Sequence, residues 1–238
     1  MNEFQEKGFS VIKDIFNQNE FSIIQNFVID TLNKNLKKDK NLKNSFLKFN
    51  YEDLATYHEF IDDNNLNHEN MVNPKNRYLF PPKKIKEILL KDELIEYVKK
   101  YSGYEKFSMC SDPGLGWLGY RLIRPNNNDG YPPSCKNWGS TKNVYSLWVP
   151  ISGSTKYSNI RLLPGSFKKQ YKKYLPKDSK FIQNEYRLED KIDVKDFLRP
   201  KMNYRDALIF HPGCIHSEDS SDKKNSRLNL EYRFSPIK

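Results

Sequence analysis

Apolar residues recur along the chain with two different periods. Gly8-Phe9-Ser10-Val11-Ile12-Lys13 alternates apolar and polar positions and predicts a short strand. Asn17 followed by Glu20 has the spacing of a capping box. From Glu20 to about Leu36 the apolar residues Phe21, Ile24, Phe27, Val28 and Leu32 fall near helical spacing, so a helix is expected after the strand. The stretch from Lys37 to Asn76 is polar and mixed, with Asn64-Asn65-Leu66-Asn67 reading as a loop. Beyond Pro81-Pro82 the pattern predicts a second helix, from about Lys84 to Tyr101, with Ile85, Ile88, Leu89, Leu94 and Val98 on its inner face.

The period changes at Phe107. Apolar runs of strand length now alternate with Gly, Pro, Asn and Asp turns. The runs are Trp117 to Arg124, Val144 to Ile151, Asn159 to Leu163, Asp206 to His211 and Arg227 to Phe234. Asp206 is expected in the tight turn before its strand. The order predicts one domain over residues 1–238. A helical layer of about 1–105 would cover an antiparallel β sandwich or barrel of about 106–238, interrupted by a Lys/Tyr-rich insertion at 168–200.

Composition narrows the class. The chain has 238 residues, enough for a sizeable core, and 15 Tyr with 15 Phe supply much of the area to bury. No stretch approaches the roughly 20 apolar residues of a membrane span, and the polar, acidic start predicts no secretory leader. Three cysteines, Cys110, Cys135 and Cys214, form neither an even disulfide set nor a CxxC pair, which points to a reducing, cytoplasmic setting. The net charge of +10 comes from lysines scattered over helix, loop and turn segments. It reads as solvated surface rather than as a nucleic-acid interface, since aromatic and basic residues are not interleaved as strand stacking needs.

Candidate chemistry sits near the C-terminal end. Of the 4 histidines, His58 and His68 lie in the polar segment and read as exposed. His211 and His216 follow a strand, and Arg227 opens the next one. A histidine on one strand and an arginine on the next can face one barrel mouth, where the imidazole can hold a metal and the guanidinium can clamp a carboxylate. His211 reads as a packing or hydrogen-bonded residue. Arg124, at the end of an apolar strand, reads either as a residue of the pocket mouth or as half of a surface ion pair. Trp138 and Trp148 read as core or pocket wall. Glu231 and Arg233 alternate with apolar residues on the last strand, and cross-strand pairing is expected of them.

Five pieces in this order resemble the phytanoyl-CoA dioxygenase-like branch of the Fe(II)/2-oxoglutarate oxygenases. They are Gly8 to Lys13 with its helix, Tyr120-Arg121-Leu122-Ile123-Arg124-Pro125, Leu147-Trp148-Val149-Pro150-Ile151, Leu163-Pro164-Gly165-Ser166, and Asp206 to His216 with Arg227 to Phe234. The resemblance implies a mainly β fold with α, a double-stranded β-helix (jelly-roll) core with N-terminal helices packed on one sheet. It also implies metal binding at His216, 2-oxoglutarate binding at Arg227, and a small or carrier-bound substrate in a biosynthetic or glycan-tailoring pathway.

The chain departs from that pattern where iron is concerned. The family holds iron with two His and one carboxylate, two of them from an His-x-Asp motif between the Arg-Pro and Trp-x-Pro strands. The matching stretch is Tyr131-Pro132-Pro133-Ser134-Cys135-Lys136-Asn137-Trp138, so Ser134 replaces the His and Lys136 the Asp. No His-x-Asp or His-x-Glu occurs in the sequence, and Pro-Gly-Ser-His reads Pro164-Gly165-Ser166-Phe167. A serine hydroxyl is a poor Fe(II) ligand, and a lysine must first lose a proton whose pKa is near ~10.4. Fe(II) held in the family's manner is therefore not expected, while 2-oxoglutarate remains the expected cofactor. Asp129, Cys135 and Cys214 are the substitute ligands to weigh. Lys136 offers another route, because its single positive charge equals that of a divalent cation plus one carboxylate and could partner an anion together with Arg227. A solvated loop lysine is the plain alternative. The functional alternative is a non-catalytic binding protein that keeps the anion pocket.

Overall fold

A computed structural model describes residues 3–44, 46–110, 116–125, 144–156, 158–171, 173–174, 187–188, 192–217 and 224–237. The elements run α1 (Glu3–Lys7), β1 (Phe9–Ile12), α2 (Gln18–Leu36), α3 (Tyr57–Asp63), α4 (His68–Val72), α5 (Pro74–Arg77), β2 (Tyr78–Leu79), α6 (Lys83–Leu89), α7 (Asp92–Ser102) and β3 (Phe107–Met109). They continue with β4 (Leu118–Ile123), β5 (Tyr145–Ser152), β6 (Arg161–Leu162), β7 (Lys173–Tyr174), β8 (Arg187–Leu188), β9 (Ala207–Phe210), β10 (His216–Ser217) and β11 (Arg227–Pro236).

Local signals explain the early elements. The Asn17 side chain accepts from the Glu20 N–H while the Glu20 carboxylate accepts from the Asn17 N–H, so the expected capping box starts α2. The single helix expected over about 84–101 is two helices. The backbone turns extended at Lys91, the acidic pair Asp92 and Glu93 opens α7, and Lys91 reaches back 2.8 Å to Glu20 on α2. The polar segment before Asn76 also holds more structure than its composition predicted, namely α3, α4 and α5. His68 is buried there rather than exposed, with Nδ1 3.0 Å from the Tyr57 hydroxyl, and His58 is half-buried with Nδ1 3.0 Å from the Ser226 hydroxyl.

Seven strands form one antiparallel sheet in the order β1-β9-β5-β11-β4-β2, with β3 pairing β11, while β10 pairs β6 in a smaller ladder and β7 pairs β8. Because side chains alternate along a strand, the large sheet has two distinct faces. On one, Ile12, Leu118, Tyr120, Leu122, Leu147, Val149, Ile209, Leu228, Leu230 and Tyr232 pack with Phe21, Ile24, Val28, Leu32, Leu89, Leu94 and Val98 of the helices. The other face turns toward the small ladder, where Phe9, Trp148, Leu208 and Phe210 pack with Leu162 of β6, Ile160 and Cys214. The chain is thus mainly β with α, a double-stranded β-helix core with helices laid on one sheet. Among the described residues no helix is long and apolar enough to cross a membrane.

Asp206 sits in the turn before β9, as expected, and there fixes the β1–β9 edge. Its buried carboxylate accepts from the backbone N–H groups of Asp14 and Asn203 and from the Lys13 ammonium.

Candidate functional site

The inner face of the large sheet can be read as rows across the strands. One row runs Arg233 (β11), Ser146 (β5), Phe210 (β9), Phe9 (β1). The next runs Gly119 (β4), Glu231, Trp148, Leu208, Val11. Then come Arg121, Asn229 and Pro150, and finally Ile123 opposite Arg227. The β1–β9 side of this face is apolar. The β11–β4 side carries Arg121, Arg227, Asn229, Glu231 and Arg233, and the first four are buried. A register shift in the β5–β11 pairing falls between Leu228 and Asn229, where the polar row begins.

Both residues singled out by the sequence contact this interior. His216 opens β10, pairs with Leu162 and lays its ring 5.0 Å from that of Phe210. Its Nδ1 lies 3.0 Å from the Cys214 carbonyl oxygen. A carbonyl only accepts, so Nδ1 carries the proton in the neutral ring and Nε2 keeps its lone pair. Arg227 opens β11 and is fully buried, with its guanidinium carbon 5.7 Å from the centre of the Trp148 ring. Trp148 and Phe210 belong to one packed cluster, so the imidazole and the guanidinium each rest on a ring of the same wall. Arg124 is half-buried one residue past β4, beside the Ile123–Arg227 pairing. Lys136, together with Ser134, Cys135, Asp129 and Trp138, lies outside the described residues.

A carboxylate at the centre of the wall was read in the sequence only as a cross-strand partner. Glu231 lies 3.5 Å from Arg121 Nε on β4 and accepts a hydrogen bond from Arg233 on its own strand. Burial pushes its carboxyl up, but Arg233 and Arg121, with contributions from His216 and Arg77, outweigh burial and hold it below the ordinary carboxylate range. Glu231 is therefore ionised and committed to guanidinium partners. Asn229, its inward neighbour, also escaped notice. The alternation of β11 made both positions visible, but alternation alone does not say which face is solvent.

The donors among the described residues do not make up the family's iron set. Among the described residues no three His, Cys, Asp or Glu side chains are grouped to hold a metal ion. Glu231 is engaged by arginines. Burial pushes the Cys214 thiol up to about 12, and its sulfur is buried beside the Leu163 carbonyl and the Ser166 hydroxyl, so no thiolate is available there. That leaves His216 Nε2 among the described residues of this wall, and in the sequence the stretch that matches the motif carries Ser134 and Lys136 in place of His and Asp. His211 stays a packing residue. It lies between the rings of Phe167 and Tyr145, its Nδ1 accepts the Gly213 N–H at 3.0 Å, and burial lowers its pKa.

No protein-family model matches the chain, and no curated protein matches it by sequence. Solved structures do match in fold. EvdO2 from Micromonospora carbonacea var. aurantiaca, complexed with 2-oxoglutarate, aligns at a TM-score of 0.59 and 10% identity over 99% of this chain and 90% of that one. The epimerase SnoN in complex with Fe3+, alpha ketoglutarate and nogalamycin RO aligns at 0.56 and 9% identity over 98% and 81%. EctD from S. alaskensis, with 2-oxoglutarate and 5-hydroxyectoine, aligns at 0.57 and 12% identity over 99% and 74%. At these identities the likeness establishes a shared fold.

Proposed function

We propose that this chain is a divergent relative of the phytanoyl-CoA dioxygenase-like proteins that binds a small anionic ligand of the 2-oxoglutarate type inside its barrel without the family's iron. In this reading it acts on a small or carrier-bound metabolite in a biosynthetic or glycan-tailoring pathway. The observation that carries the reading is the common wall. Arg227 rests on Trp148, His216 rests on Phe210, and both rings belong to one buried cluster. The fork of a guanidinium matches a carboxylate bidentately, and a dry setting strengthens that contact. The neighbours that carry 2-oxoglutarate support this choice of ligand.

The roles follow from the chemistry. Arg227 clamps the carboxylate, and Arg124 draws anions to the open end of β4. His216 presents Nε2 as a proton acceptor toward the ligand, which permits non-oxidative proton transfer. Lys136 supplies a fixed positive charge where the family places a metal and its carboxylate.

Calorimetry on the full chain tests the proposal, with 2-oxoglutarate titrated in EDTA and again with added Fe(II), alongside metal analysis of the purified protein. Binding in EDTA that weakens at least tenfold in Arg227→Ala and in Lys136→Ala is the expected result. Stoichiometric iron with iron-dependent binding would overturn the iron-free part. The absence of binding under both conditions would overturn the clamp.

A further inference from the structure

Asn229 is fully buried, and among the described residues neither its amide oxygen nor its amide nitrogen has a hydrogen-bond partner. A primary amide brings two donors and one acceptor, and native interiors satisfy such groups almost without exception. A leucine, with the same branching and number of side-chain heavy atoms, would bring no polar group to satisfy. The indole N–H of Trp148 is likewise buried and has no partner among the described residues. These two residues are near neighbours on the inner wall, since Asn229 pairs across with Pro150, two residues along β5 from Trp148. Asn229 also follows Arg227 by two positions on one strand face, a rise of about 7 Å. The guanidinium of Arg227 lies over the Trp148 ring. A charged fork and two neutral polar groups therefore converge on one stretch of wall.

We infer that Asn229 and the Trp148 indole form a second, uncharged subsite beside the Arg227 clamp, which takes a neutral oxygen function, a keto or hydroxyl group, of the bound carboxylate. The inference rests on the proposed clamp and adds the chemical class of its ligand, an oxo- or hydroxy-carboxylate rather than a plain dicarboxylate. A carbonyl oxygen accepts from the amide N–H and the indole N–H, and a hydroxyl can in addition donate to the amide oxygen. The recognition that the family assigns to a metal would here come from the protein wall.

Glutarate, 2-oxoglutarate and 2-hydroxyglutarate share length and charge and differ only in that oxygen. Titrated into the full chain in EDTA, at least one oxygenated ligand should bind tenfold or more tightly than glutarate. Asn229→Leu should bring that ratio to within twofold and leave glutarate binding intact, and Trp148→Phe should reduce the ratio in part. An unchanged ratio in Asn229→Leu, with glutarate binding retained, or no ratio in the wild type would each overturn the subsite. If all three ligands bind equally and all depend on Arg227, the clamp stands and the subsite falls. If none binds the wild type, both fall.

Discussion

The guanidinium carbon of Arg227 lies 5.7 Å from the centre of the Trp148 ring, and both side chains are fully buried. The ring quadrupole attracts the cation and fixes where it points. Trp148→Leu should therefore lower the affinity for glutarate by about thirtyfold, the size of one lost cation–π contact in a desolvated site, and the affinity for 2-oxoglutarate by more, because the indole N–H is lost as well. It should also cost roughly 3 kcal/mol of stability through the cavity it leaves. Calorimetry and urea denaturation on the same preparation measure the two effects.

Glu231 holds Arg121 and Arg233 together at the centre of the interior. Removing its charge takes a buried anionic partner from two guanidiniums at once, and Glu231→Gln should cost about 3–5 kcal/mol. The sign with pH follows from a folded pKa below the unfolded one. Its contribution is present above the unfolded carboxylate value of about 4.3 and is lost as pH falls through the lower folded value. The acid limb of the wild-type stability curve should be steeper than that of Glu231→Gln, as thermal melts from neutral pH downward would show.

His211 is kept neutral by burial and by the Gly213 N–H donated to its Nδ1. With the folded pKa depressed, the unfolded chain takes up a proton first. Stability is then complete above about 6.5 and declines as pH drops through that value toward the folded one. The wild-type melting temperature should fall over this window. The fall should be smaller in His211→Gln, which lacks a titrating group.

Gly153 directly follows β5 at φ +66, and a Cβ placed on it would lie 1.7 Å from the Ser226 carbonyl oxygen. That backbone atom cannot swing away as a side chain could. Gly153→Ala should cost roughly 2–4 kcal/mol and weaken 2-oxoglutarate binding, since Ser226 immediately precedes Arg227. Gly103, at φ +75 with nothing within 4 Å, is the control, and its alanine variant should lose only about 1 kcal/mol. Chemical denaturation of the two variants separates crowding from backbone preference.

The parts of the fold legible in the sequence were those governed by short-range periods. The Asn17–Glu20 box, the alternation of β1 and the apolar runs of β4, β5, β9 and β11 are all local signals, and each element formed within a few residues of its expected place. The burial of His68 was not legible, because its partner Tyr57 lies on a different helix and nothing in the helical period links them. The split between α6 and α7 was hidden too, since Ile88, Leu89 and Leu94 keep an apolar stripe across the break. At the site, His216 and Arg227 stood out by residue type. Asn229 and Glu231 did not, because a polar residue alternating with apolar ones reads the same whether it faces water or a closed interior.

The pairing of β1 with β9 is pinned by the Asp206 carboxylate on the Asp14 backbone, a contact between positions 192 residues apart. Residues 9–12 therefore leave the ribosome long before their partner exists. Closing so large a loop is slow, because its entropy must be lost before the contact gives anything back. The sheet edge beside Phe210, the strand that leads into His216, is completed only after residues 207–210 have been made. Until then, the nascent chain offers an open β edge that chaperones would shield.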